Sequence, residues 1–68
     1  MSNIDNRTYS IEIDGYEVLW FGDEERSEAY QTFSKLVRDS AYNTKDLVLI
    51  NVATDTELGH RFTLKLAA

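Results

Sequence analysis

Apolar and polar residues alternate along Thr8-Tyr9-Ser10-Ile11-Glu12-Ile13, and a period of two marks a strand with one buried face. Asp14-Gly15 follows, a dipeptide suited to a two-residue turn that needs positive φ, so the chain is expected to reverse here into a hairpin. The return strand is Tyr16-Glu17-Val18-Leu19-Trp20-Phe21, rich in aromatic and β-branched residues. Counting back from the turn pairs Ile13 with Tyr16, Ile11 with Val18 and Tyr9 with Trp20, and these six side chains make the expected core face. Ser10, Glu12, Glu17, Leu19 and Phe21 take the other face. Glu12 and Glu17 then confront each other, an arrangement that costs stability.

Gly22-Asp23 ends the hairpin. Asp23 is the expected N-cap of a helix, and Glu24 and Glu25 place negative charge at its positive end. Ala29, Tyr30, Phe33, Leu36, Val37 and Ala41 recur at helical spacing, Lys35 and Arg38 suit the C-terminal end, and Asn43 is a stop, which predicts a helix over 24–41. Leu47-Val48-Leu49-Ile50-Asn51-Val52-Ala53 reads as a central strand, Thr54 to Gly59 as a loop, and Arg61-Phe62-Thr63-Leu64-Lys65-Leu66 as the last strand. Pairing Val52 with Phe62, Ile50 with Leu64 and Val48 with Leu66 puts those six in the core.

The element order is therefore ββαββ, an α+β domain with a four-stranded antiparallel sheet and one helix packed on one face. The second and third strands run the same way, which leaves the orders 2-1-3-4 and 1-2-4-3. The first is preferred because it puts the more apolar third strand inside the sheet. On the face without the helix, Leu19, Phe21, Leu47 and Leu49 are expected beside Glu12, Glu17, Asn51, Thr63 and Lys65. Four large apolar groups there would form an interaction patch.

Sixty-eight residues hold one domain, with 1–7 expected as a flexible N-terminus. With no Cys, no disulfide or Cys-ligated metal holds the fold; without a basic and apolar leader, a cytoplasmic location is expected. No apolar run nears the ~20 residues that cross a bilayer, so no membrane partner is expected. Asn6-Arg7-Thr8 matches a glycosylation sequon and is read as chance. The net charge of −5 is unevenly spread: residues 1–28 hold eight acids and two bases. That balance argues against direct nucleic-acid binding, which needs a basic footprint, and for a basic protein surface as partner.

No metal-binding HExxH, P-loop or GxGxxG pattern occurs. The single histidine, His60, is expected in a solvated loop, and no nucleophile or acid stands at a telling spacing from it. No catalytic group is assigned. Asp23, Glu24, Glu25 and Glu28 lack the regular oxygen spacing and central glycine of a calcium loop, so neither metal nor cofactor is expected. Tyr9, Tyr16, Trp20, Tyr30 and Phe33 read as core, because a base-stacking platform comes with a basic groove. The candidate contacts to a basic partner are Glu12, Asp14, Glu17, Asp23, Glu24, Glu25 and Glu28. The alternative contact is the apolar set Leu19, Phe21, Leu47 and Leu49, through which a second copy or another subunit would pack.

In its shortness, its lack of Cys and the segregation of these seven acids, the chain resembles small phage-encoded inhibitors, anti-CRISPR proteins and other DNA mimics. The resemblance is one of type. It implies a non-catalytic inhibitor in the host cytoplasm. Its carboxylates would stand in for phosphates against Arg and Lys of a nucleic-acid-binding complex.

Overall fold

The computed structural model describes residues 7–63. Strands β1 (Tyr9–Ile13) and β2 (Tyr16–Phe21) form a hairpin, and a 3-10 turn at Asp23–Glu25 leads into α1 (Arg26–Arg38). A second 3-10 turn at Ser40–Tyr42 returns the chain to β3 (Leu47–Asn51) and β4 (Thr56–Arg61). The four strands make one antiparallel sheet in the order β2-β1-β3-β4. This is the α+β, ββαββ arrangement read from the sequence, in the preferred of the two orders. The flexible N-terminus expected over 1–7 lies, apart from Arg7, outside the described residues.

The hairpin turns where expected. Asp14 (φ 53) and Gly15 (φ 88) both take positive φ, the geometry that matches the twist of the flanking strands. Asp14 fastens this turn to the start of β3. Its N–H donates to the Asp46 carbonyl at 2.8 Å, its Oδ1 accepts from the Asp46 N–H at 2.9 Å, and Lys45 Nζ lies 3.5 Å from its Oδ2.

Two residues past the turn the register departs from the expected one. Ile13 faces Tyr16 and Glu12 faces Glu17 as counted, although Tyr16, assigned to the core, is 75% exposed on the outer strand; Ile11 then faces Leu19, Ser10 faces Trp20 and Tyr9 faces Phe21. Val18 is an extra residue on β2, a β-bulge, and an inserted residue exchanges the two faces of everything beyond it. Leu19 and Phe21 therefore share the helix side with Ile11 and Tyr9, while Val18 and Trp20 lie on the open face. The exchange has a local benefit: the Trp20 indole N–H, which needs an acceptor, donates to Glu17 Oε1 at 2.9 Å.

The third strand is exchanged in the same way. Ile11 faces Leu49 and Ile13 faces Leu47 across β1 and β3, and both leucines are fully buried. Tyr9, Ile11, Leu49 and Ala29 of α1 form the core, with Phe21, Tyr30, Phe33, Leu36 and Leu58 packed around them. So Phe21, Leu47 and Leu49 are not on the open face, and Leu19, although 37% exposed at the sheet edge, points with the core residues. Val48 and Ile50, assigned to the core from sequence, are half-buried on the opposite face.

The last strand also lies elsewhere. Val52 to Asp55 is the turn, with Asp55 at φ 54, and β4 runs through the segment read as a loop. Val48 pairs with His60 and Ile50 with Glu57, while Leu64 and Leu66, their expected partners, lie outside the described residues. Gly59 lets the Phe33 ring approach the strand closely: a Cβ there would lie 3.3 Å from Phe33 Cε2, so the ring would have to give by a few tenths of an ångström.

Helix α1 is shorter than 24–41. Asp23 begins the 3-10 turn and is not the N-cap. Glu25 secures the helix entrance: its Oε1 accepts the Gly22 N–H at 2.7 Å while its own N–H donates to the Gly22 carbonyl at 3.0 Å. Extended backbone at Asp39 ends the helix, and its Oδ1 accepts from the Ala41 N–H at 2.9 Å to start the second 3-10 turn. Among the described residues no helix is long and apolar enough to cross a membrane.

Candidate functional site

The helix covers one face of the sheet, and the opposite, open face is the feature with the most chemistry on it. Across its strands run two rows. Trp20, Ser10, Ile50 and Glu57 stand side by side in one, and Glu17, Glu12, Val48 and His60 in the other. Val18 adds to the second row through the bulge. Val18 and Trp20 are 40% and 42% exposed, and Phe62, which stacks on the His60 ring at a centroid distance of 4.5 Å, is 56% exposed.

Three carboxylates are set among these apolar groups. Glu12, half-buried, lies between Glu17 and Val48. Glu17 is exposed and accepts from the Trp20 indole. Glu57 Oε2 lies 2.6 Å from His60 Nδ1. The guanidinium of Arg7 sits over the Trp20 ring, 5.0 Å from its centre. Ser10, between Trp20 and Ile50 in the first row, is fully buried, and its hydroxyl has no hydrogen-bond partner among the described residues.

The seven acids proposed from sequence do not form one cluster. Glu12 and Glu17 are brought together on the open face. Asp14 is engaged in holding the hairpin turn to Lys45 and Asp46. Asp23, Glu24, Glu25 and Glu28 lie at the entrance to α1, past the far end of β2, and Glu25 serves the cap. A solvent-open depression there is lined by Gly22, Asp23, Glu24 and Glu25. Of the alternative apolar set, none belongs to the open face. Its place is taken by Val18, Trp20, Val48, Ile50 and Phe62. Sequence reasoning also missed Glu57 and His60 as neighbours on a strand, because the segment around Gly59 carries no alternation. Among the described residues no group of three or more His, Cys, Asp or Glu is arranged to hold a metal ion.

The like-charge pair gives the site a measurable signature. Glu12→Gln removes the repulsion between facing carboxylates and is expected to raise stability by roughly 0.2–1 kcal/mol, read as a higher thermal midpoint. A lower midpoint would show that Glu12 is already compensated in the free chain.

No protein-family model matches the chain, and neither a curated protein nor a solved structure is similar to it.

Proposed function

We propose that this is a non-catalytic binding protein that docks on a basic protein surface, such as that of a nucleic-acid-binding complex, through the open face of its sheet. The observation that carries this reading is the set Glu12, Glu17 and Glu57 interleaved with exposed Val18, Trp20 and Phe62. Apolar groups supply affinity as they leave water, at about 25 cal/mol per Å². The carboxylates select partners carrying Arg and Lys and speed their approach, an effect that salt weakens. The overall charge of −5 acts in the same direction at longer range and repels nucleic acid itself. An inhibitor that occupies a nucleic-acid groove in place of phosphates would work in this way.

The second reading is assembly of two copies through the same face, favoured by the exposure of Val18, Trp20 and Phe62. It is the weaker one, because stacking two such faces gathers two sets of Glu12, Glu17 and Glu57 in one interface.

The test compares the wild type with two triple variants, Glu12→Lys/Glu17→Lys/Glu57→Lys and Asp23→Lys/Glu24→Lys/Glu28→Lys. Each is immobilised and offered basic nucleic-acid-binding proteins from the native host at low and high salt. The first triple is expected to lose roughly ten- to a hundredfold in affinity, since three attractive pairs become repulsive. The second triple is expected to bind nearly as the wild type does. Equal binding by all three, indifferent to salt, contradicts the proposal. A sedimentation run showing a concentrated wild type as a stable dimer favours the second reading.

A further inference from the structure

Most of the open face is a plain mixture of apolar and acidic groups, but one part of it already holds a ligand-like group. The Arg7 guanidinium lies over the Trp20 ring at 5.0 Å from its centre, and the indole N–H of the same ring holds Glu17 Oε1 at 2.9 Å. A tryptophan face is the best aromatic platform for a cation, and a planar guanidinium stacks on it as an ammonium does not. The indole takes one oxygen of a group that has two acceptors, so a carboxylate is fixed at the border of the platform with acceptor capacity to spare. A ring face and a carboxylate are the two kinds of group that bind a guanidinium, one by stacking and one by charge-assisted hydrogen bonds.

We infer that Trp20 and Glu17 form a guanidinium-binding site, filled by the chain's own Arg7 in the free protein and taken over by an arginine of the basic partner on docking. This rests on the docking reading above and adds to it a ligand class and a competitor. Arg7 is exposed and precedes β1. Trp20 remains 42% exposed with Arg7 in place, so an incoming side chain has a route to the ring. The bulge at Val18 is what makes the site, because it turns Trp20 onto the same face as Glu17.

A competitor has a testable consequence: removing it should tighten binding of an external guanidinium. The probe is a hexa-arginine peptide, titrated at low salt and followed by the emission of the single tryptophan and by its indole N–H resonance. Arg7→Ala is expected to bind the peptide about two- to fivefold more tightly than Lys35→Ala, which makes the same change of charge on the helix. Arg7→Lys, which alters no charge and guards against a variant that fails to fold, is expected to gain about twofold over the wild type. Glu17→Gln should weaken hexa-arginine more than hexa-lysine, because only the guanidinium forms paired bonds with a carboxylate. If the wild type and both Arg7 variants bind hexa-arginine with equal affinity, Arg7 is no competitor and the inference falls while the docking reading stands. If none of them binds, both fall.

Discussion

Leu49→Ala is expected to lose about 2–5 kcal/mol of stability, the usual cost of truncating a fully buried leucine, and to leave a large share of the protein unfolded at ordinary temperature. A domain of this length is stable by only about 3–10 kcal/mol, so one such loss takes most of the margin. Leu49 faces Ile11 across the central strand pair and packs with Tyr9 and Ala29. Val18→Ala, at an exposed position on the opposite face, should cost under about 0.5 kcal/mol. The contrast is informative because unbroken alternation from the Asp14-Gly15 turn assigns these residues the other way round, with Val18 in the core and Leu49 outside. Urea midpoints at constant slope measure both. A Val18 variant as damaged as the Leu49 variant would mean that the strands pair without the bulge.

The features readable from sequence are those set by neighbours in the chain. Asp14-Gly15 favours positive φ at both positions, so the hairpin and the facing of Glu12 and Glu17 follow from six consecutive residues. The spacing of Ala29, Tyr30, Phe33 and Leu36 fixes which side of the helix meets the sheet. The strand order is narrowed to two, with the observed one preferred because the third strand is the more apolar, but alternation assigns the buried side of that strand the wrong way round.

What escaped the sequence depends on distant partners. The bulge at Val18 arises where Phe21 packs under α1 while Trp20 finds Glu17 on the other face. Both Val18-in and Val18-out patterns place apolar residues on both faces of β2, so periodicity alone does not choose between them. The fourth strand is hidden by Gly59, which marks a loop locally but here makes room for the Phe33 ring. A second irregularity, opposite Leu49 and Ile50, breaks its alternation as well. The acidic surface was half legible for a similar reason. A charge count treats Asp14, Glu12 and Glu25 alike, whereas the fold gives Asp14 a turn to fasten, Glu25 a helix to cap and Glu12 a like-charged neighbour.

Arg61→Met is expected to cost about 2–4 kcal/mol. Its guanidinium donates to the carbonyls of Val37, Tyr42 and Lys45, which belong to the last turn of α1, the second 3-10 turn and the approach to β3. Helix ends leave carbonyls without partners inside the helix, and one planar group with several donors serves three such stretches at once. Methionine keeps the stem but strands those carbonyls, at about 1–3 kcal/mol for each that stays buried. Arg61→Lys should recover only part of the loss, since an ammonium lacks the fork that spans separated acceptors. The damage should also be local before it is global. In hydrogen exchange, the amides of 39–46 should lose protection well below the denaturant concentration that opens β1 and β3. If Arg61→Met costs less than about 0.5 kcal/mol, the contacts are those of an ordinary surface cation, and the loop between α1 and β3 is held by Asp46 instead, whose Oδ1 accepts from the Thr63 N–H at 2.9 Å and hydroxyl at 3.1 Å.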